Sequence, residues 1–219
     1  METGTERRFD AVIFDLDGTL VDTEPLHERS WTIALAELGL TMPEGEYRLY
    51  FSGRPGIQSC RERFGMSLEE AIATNDLVTQ VYWELAAGNV APMPGLTAFL
   101  DRLHGVPKAI ATSARRSSAT RMLAELGLNA AFDAVVTADD ITHGKPHPEI
   151  FLTAAARLTV APERCLVFED SRAGLAAARA AGMTCVGLTT TVQILDDAHH
   201  VIDGYEDARL FDLLAGFPV

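Results

Sequence analysis

The sequence predicts an α/β protein in which a doubly wound, mainly parallel sheet carries an inserted all-helical segment. Three observations predict it. Short β-branched runs recur along the chain, and most are followed by a stretch of helical period. These runs are near-continuously apolar rather than alternating, as strands covered on both faces are. A long stretch that reads as helix throughout separates the first run from the second.

The first strand is DAVIFD (10–15). In the helical stretch after it, PLHERSWTIALAELG places Trp31, Leu35 and Leu38 on one face, and Gly39 closes the helix. A second long helix covers 67–87, and the whole insertion runs over 22–91, with hinges at Asp22–Glu24 and Gly88–Pro94. The α/β part then resumes with a helix near 95–104 and the strand KAIATS (108–113). A helix at 115–126 with Gly127 past its end leads to the strand DAVVTA (133–138). Next come a helix at 148–158, with Pro148 suited to its first position, and the strand CLVFED (165–170). The helix at 171–181 has Ser171 as N-cap and Gly182 past its end. TCVGLTT (184–190) and HHVID (199–203) complete the set. Strands alternating with helices imply right-handed crossovers in one sheet. Residues 1–21 and 92–219 are therefore expected to form one discontinuous α/β domain, and 22–91 a helical one.

The chain has 219 residues, 47% hydrophobic and 22% charged, enough to bury a sizeable core. A formal net charge of −13 argues against nucleic acid, which is bound through clustered Lys and Arg. It leaves a small phosphorylated substrate open, because a metal ion and a few cations can reverse the field in one cleft. Lys108 and Lys145 are the only lysines. Cys60, Cys165 and Cys185 show no paired spacing, and the last two sit in apolar runs where inert buried thiols are expected. The N-terminal residues read as neither a secretory signal nor a membrane span. A monomer in a reducing cytoplasm is expected.

Four motifs carry chemistry, each at the end of a strand or in the loop behind one. Asp15-Leu16-Asp17-Gly18-Thr19-Leu20 leaves the first strand with two carboxylates two residues apart, able to face one cleft beyond the sheet. Gly18 permits a sharp turn close to a ligand. Ile110-Ala111-Thr112-Ser113-Ala114 ends a strand in hydroxyls and free N–H groups that could hold a phosphate oxygen. In Gly144-Lys145-Pro146-His147-Pro148 a lysine is fixed between Gly and Pro as a point charge suited to phosphate. Val167-Phe168-Glu169-Asp170-Ser171 ends a strand in two acids, whose repulsion calls for a cation such as Mg²⁺. Alone, each has an ordinary reading as a turn, cap or solvated loop. Their common placement is far more specific than any one of them.

These motifs resemble those of the haloacid dehalogenase (HAD) superfamily, in the branch with a helical cap inserted into a Rossmann-like core. DLDGTL, ATSA, GKPHPEIF and VFEDSRAG look like its four motifs in order, and the resemblance spans essentially the whole chain, weakest over 40–90. It is nearest to sugar- and polyol-phosphate phosphatases and β-phosphoglucomutase. The resemblance implies Mg²⁺-dependent hydrolysis of a small-molecule phosphate ester, with Asp15 as nucleophile and metal ligand. It makes Asp17 the general acid/base, with its backbone carbonyl also on the metal. Ser113, with Ala114 beside it, and Lys145 would hold the phosphoryl oxygens. Asp170 would ligate the metal, with Glu169 beside it, directly or through water. His27 falls where the mutase relatives carry a histidine on the first cap helix, and Gly53-Arg54 falls in the cap loop facing substrate.

The alternative is a sugar phosphomutase. Those relatives carry an arginine three residues after the cap-loop glycine, a position held here by Gly56. A phosphonate hydrolase would need a cap lysine, and none precedes Lys108. A dehalogenase fits poorly with an acid at 17. A non-catalytic binding protein would be expected to lack one of Asp15, Asp17, Lys145 or Asp170. His199-His200 reads as a solvated strand edge, Trp31 and Trp83 as core of the helical segment. His143 and His147 could be structural or functional.

Overall fold

A computed structural model describes residues 9–51, 54, 56–190 and 195–214. Its sheet consists of β1 (Ala11–Phe14), β2 (Lys108–Ala111), β3 (Ala134–Val136), β4 (Cys165–Glu169), β5 (Thr184–Leu188) and β6 (His200–Ile202). The order is β3-β2-β1-β4-β5-β6, and every pairing is parallel. The helices are α1 (Glu24–Glu37), α2 (Glu46–Tyr50), α3 (Gly56–Phe64), α4 (Leu68–Ala86), α5 (Leu96–Arg102), α6 (Arg116–Glu125), α7 (Glu149–Leu158), α8 (Arg172–Ala180) and α9 (Arg209–Leu214). This is the predicted doubly wound architecture.

Apolar side chains on both strand faces explain the burial. Ala11 and Ile13 of β1 and Cys165 and Val167 of β4 point to one face, against Phe151 and Ala154 of α7 and Leu175 and Ala178 of α8. Phe14 and Phe168 point to the other face. They stack on each other with centroids 5.1 Å apart and meet Phe99 of α5 edge-on. Each such buried ring contributes about 1.5–3 kcal/mol.

The chain separates into two compact units: residues up to Asp22 together with those from Ala91 onward, and Thr23–Val90. The second is all-helical. Trp31, Leu35, Tyr47, Phe51, Cys60 and Val78 make its core, with Trp31 and Phe51 rings 4.4 Å apart. Helix α4 begins with reciprocal caps, Ser67 Oγ accepting from Glu70 N–H and Glu70 Oε2 accepting from Ser67 N–H. Trp31 and Leu35 are buried as expected, but Leu38 is 48% exposed. It is the C-cap of α1, where the chain turns into Gly39 (φ 72°) and leaves the apolar stripe.

The strands are shorter than the sequence suggests. DAVVTA stops at Val136 because Thr137 and Asp140 close a short 3₁₀ turn over 138–140 by capping each other's backbone. Pro148 is the N-cap of α7 rather than its first helical residue. Burial pushes the Cys60 thiol up to about 11 and the Cys165 thiol up to about 12. Both therefore stay protonated and inert. No described helix is long and apolar enough to cross a membrane.

Candidate active site

The site follows from register and parity. β1 lies beside β4 with Phe14 level with Phe168, and Asp15 N–H donates to Phe168 O at 3.0 Å. Asp15 and Glu169, the next residues on each strand, therefore stand side by side. Alternation puts both on the face of Ile13 and Val167, the face α7 covers. Lys145, in the loop leading into α7, arrives from that side. Its Nζ donates to Asp15 Oδ1 at 2.5 Å and to Glu169 Oε1 at 2.7 Å. The lysine side chain is 6% exposed, and its ammonium also lies 5.2 Å from the Phe151 ring centre. The gap between β1 and β4 is where the strand order reverses, the place at which open α/β sheets bind ligands.

Asp170 completes the cluster, and Asp15, Glu169 and Asp170 are all buried. Thr19 Oγ1 donates to Asp170 Oδ1 at 3.2 Å. Glu169 Oε2 accepts from Ser171 N–H at 2.6 Å, at the start of α8. The turn after β1 is held by Gly18 (φ 75°), whose N–H donates to Val21 O and whose carbonyl accepts from Thr190 Oγ1 at 2.5 Å.

One ammonium against three carboxylates leaves the cluster short of positive charge. Burial pushes the Asp15 carboxyl well above its ordinary range. Lys145 opposes the shift, while Glu169 and Asp170 add to it. Burial pulls the Lys145 ammonium down, but Asp15 and Glu169 outweigh it and the net shift is upward. Both shifts mark a site that gains by taking up a cation. Oxygen atoms of the three carboxylates lie within 4.8 Å of one another. An all-oxygen set of this kind fits a hard divalent ion such as Mg²⁺.

A model of the haloacid dehalogenase-like hydrolases matches residues 9–182. The chain belongs to this family. Within the haloacid dehalogenase-like hydrolases, it is 37% identical over 183 residues to the fructose-1-phosphate phosphatase of Escherichia coli strain K12, covering 82% of this chain and 96% of that one. The validoxylamine A 7'-phosphate phosphatase of Streptomyces hygroscopicus subsp. limoneus is 32% identical over 188 residues, covering 84% and 87%. CbbY from Rhodobacter sphaeroides, solved in complex with xylulose-(1,5)bisphosphate, superimposes with a TM-score of 0.77 at 26% identity, covering 91% and 96%. The capped, Rossmann-like architecture is that of this family.

Of the residues singled out from the sequence, Asp15, Lys145, Glu169 and Asp170 converge. Asp17 is half-buried and bridges to Val21 through its backbone. Ser113 and Ala114 follow β2, the other neighbour of β1, and Ser113 is exposed, while Thr112 is buried with its Oγ1 accepting from Ala114 N–H. In the helical unit His27 stacks on Tyr82 (4.5 Å between centroids), and Arg54 pairs with Glu62 at 2.5 Å. Gly53 lies outside the described residues.

Sequence reasoning missed Thr19 and Thr190, which pin the turn after β1, and Gly174. A Cβ on Gly174 would sit 1.7 Å from Glu169 Oε1, so only glycine leaves room for that carboxylate. An interior helix glycine, three residues after the Ser171 cap, was the available signal. Tyr205, whose hydroxyl is buried without a partner among the described residues, packs on Phe99 and Phe168 and gave no signal.

Proposed function

We propose that this hydrolase releases phosphate from a small phosphorylated sugar or polyol through a phosphoryl-aspartate on Asp15. The observation that carries the reading is the Lys145 ammonium shared by Asp15 and Glu169 among three buried carboxylates at the strand ends. Two of the relatives named above are, by their names, phosphatases of fructose-1-phosphate and of validoxylamine A 7'-phosphate, which supports a small phosphorylated substrate of the sugar class.

In this reading a carboxylate oxygen of Asp15 attacks phosphorus and the substrate's ester oxygen leaves. Asp17 gives that oxygen a proton, then takes one from the water that attacks the acyl phosphate, returning Asp15. Lys145, joined by Ser113 with Ala114 beside it, holds the transferring oxygens. Glu169 spends one oxygen on Lys145 and the other on Ser171 N–H, so its part is to aim the lysine. Asp15, Asp170 and the Asp17 carbonyl would hold Mg²⁺, with Glu169 at the edge of its shell. The ion would supply neutralisation of charge between nucleophile and phosphate.

We assign this chemistry to residues 1–21 and 92–219, and the choice of leaving group to the helical segment 22–91 through His27, Gly53 and Arg54. The phosphomutase alternative is not favoured. At Gly56, where those relatives carry arginine, a Cβ would lie 2.5 Å from Asn75 Oδ1 and 2.7 Å from Trp31. A side chain there would force the helical core apart.

Phosphate release measured across phosphorylated sugars, polyols, glycolate and nucleotides tests both halves of the reading. We expect a sugar or polyol phosphate to lead nucleotides by about tenfold or more in kcat/KM, equivalent to ~1.4 kcal/mol. EDTA should abolish the activity and Mg²⁺ restore it. A nucleotide as best substrate overturns the substrate class, and full activity after demetallation overturns the metal assignment.

A further inference from the structure

The segment that delivers Lys145 inward carries a second set of ligating groups outward. Gly144–His147 is a tight turn closed by His147 N–H donating to Gly144 O at 3.0 Å, with Pro146 and Pro148 limiting its motion. It brings the rings of His143 and His147 to 4.6 Å between centroids. Their side chains are 63% and 51% exposed, whereas Lys145 between them is 6% exposed. The Glu149 carboxylate stands against both rings, held in place by Thr142 N–H at 2.8 Å and His143 N–H at 2.9 Å.

We propose that His143, His147 and Glu149 form a second cation site, for a borderline transition-metal ion such as Zn²⁺. Ligand atoms of the three residues lie within 4.8 Å of one another. Glu149 Oε2 is 2.9 Å from His143 Nδ1 and 3.8 Å from His147 Nδ1. Those separations straddle the roughly 3.3 Å that two tetrahedral zinc ligands subtend at bond lengths of about 2.0–2.1 Å. A bound ion would replace the long 3.3 Å contact from Glu149 N–H to His147 Nδ1 and displace the proton shared by His143 Nδ1 and Glu149. Two imidazoles and one carboxylate prefer zinc, nickel or copper over Mg²⁺, the reverse of the all-carboxylate cluster on the inner side. The open fourth position would hold water.

The test is a calorimetric titration of the full chain with Zn²⁺ in saturating Mg²⁺, alongside the visible spectrum with Co²⁺. We expect one equivalent of Zn²⁺ that Mg²⁺ does not displace, and a tetrahedral Co²⁺ band. His143→Ala and His147→Ala should each weaken Zn²⁺ binding at least tenfold with unfolding temperatures in the absence of zinc unchanged, and Glu149→Gln should weaken binding likewise. Undiminished binding in the His143→Ala/His147→Ala double variant, complete competition by Mg²⁺, or no tetrahedral Co²⁺ band in the wild-type protein would overturn the proposal.

Discussion

Lys145 shows how far single residues could be read. Its scarcity as a lysine and its Gly and Pro neighbours marked it, and it does reach Asp15. Its second partner, Glu169, required the β1–β4 register, which no local pattern encodes. Charged hydrogen bonds of this kind contribute about 1.5–3 kcal/mol each. Burying the ions costs several kcal/mol apiece, so the arrangement fixes geometry more than it adds stability. Gly174 tests that geometry from the far side of Glu169. A methyl at 174 overlaps the carboxylate, and overpacking of this kind costs about 1–3 kcal/mol. Gly174→Ala should therefore lower the unfolding temperature and, by displacing the partner of Lys145, reduce kcat/KM at least tenfold. Steady-state kinetics with thermal unfolding checks it. Wild-type values in both would remove Glu169 from its orienting role.

At the scale of elements, most helix ends were legible, the start of α7 at Pro148 excepted, and strand ends were not. Gly127 and Gly182 take positive φ just past α6 and α8, and Ser171 caps α8 by accepting from Gly174 N–H at 3.0 Å. These are local signals, and local backbone chemistry obeys them. The β3 end failed because the outcome depends on distant partners. Asp140 accepts from Thr137 N–H and Oγ1 at 2.8 and 2.9 Å, from Arg157 at 2.7 Å, and from Arg116. It is the hub of the loop that leads from β3 to Lys145. Burial pushes the Asp140 carboxyl up, but donors from Arg157 and Thr137 outweigh it and hold it well below the usual carboxylate range. A carboxyl depressed in the folded state stabilises above its unfolded pKa and loses that contribution as pH falls toward the folded value. Asp140→Ala should thus cost about 1–3 kcal/mol at pH 7. The gap from wild type should narrow as pH drops below about 4. Denaturant unfolding at both pH values measures it, and a gap that stays constant or widens in acid would contradict the assignment.

Across the whole molecule, apolar runs alternating with helices made the doubly wound sheet and its helical insertion legible. The order of the strands was not, because β1 and β4 are neighbours only through the folded topology. That order places Asp15 beside Glu169 and lets the loop before α7 deliver Lys145 between them. Thr190 and Tyr205 join the surroundings of the site from the far C-terminal part of the chain, and no motif announced them. The convergence has one chemical purpose in this account, which is to make Asp15 the atom donor to phosphorus. Rapid acid quench of the wild-type protein turning over p-nitrophenyl phosphate with Mg²⁺, followed by reduction with tritiated borohydride and peptide mapping, tests that directly. An acyl phosphate that reduces to homoserine at position 15 is expected, with neither label nor turnover in Asp15→Asn. Label on any other residue, or Asp15→Asn turning over at a rate near wild type, would contradict it.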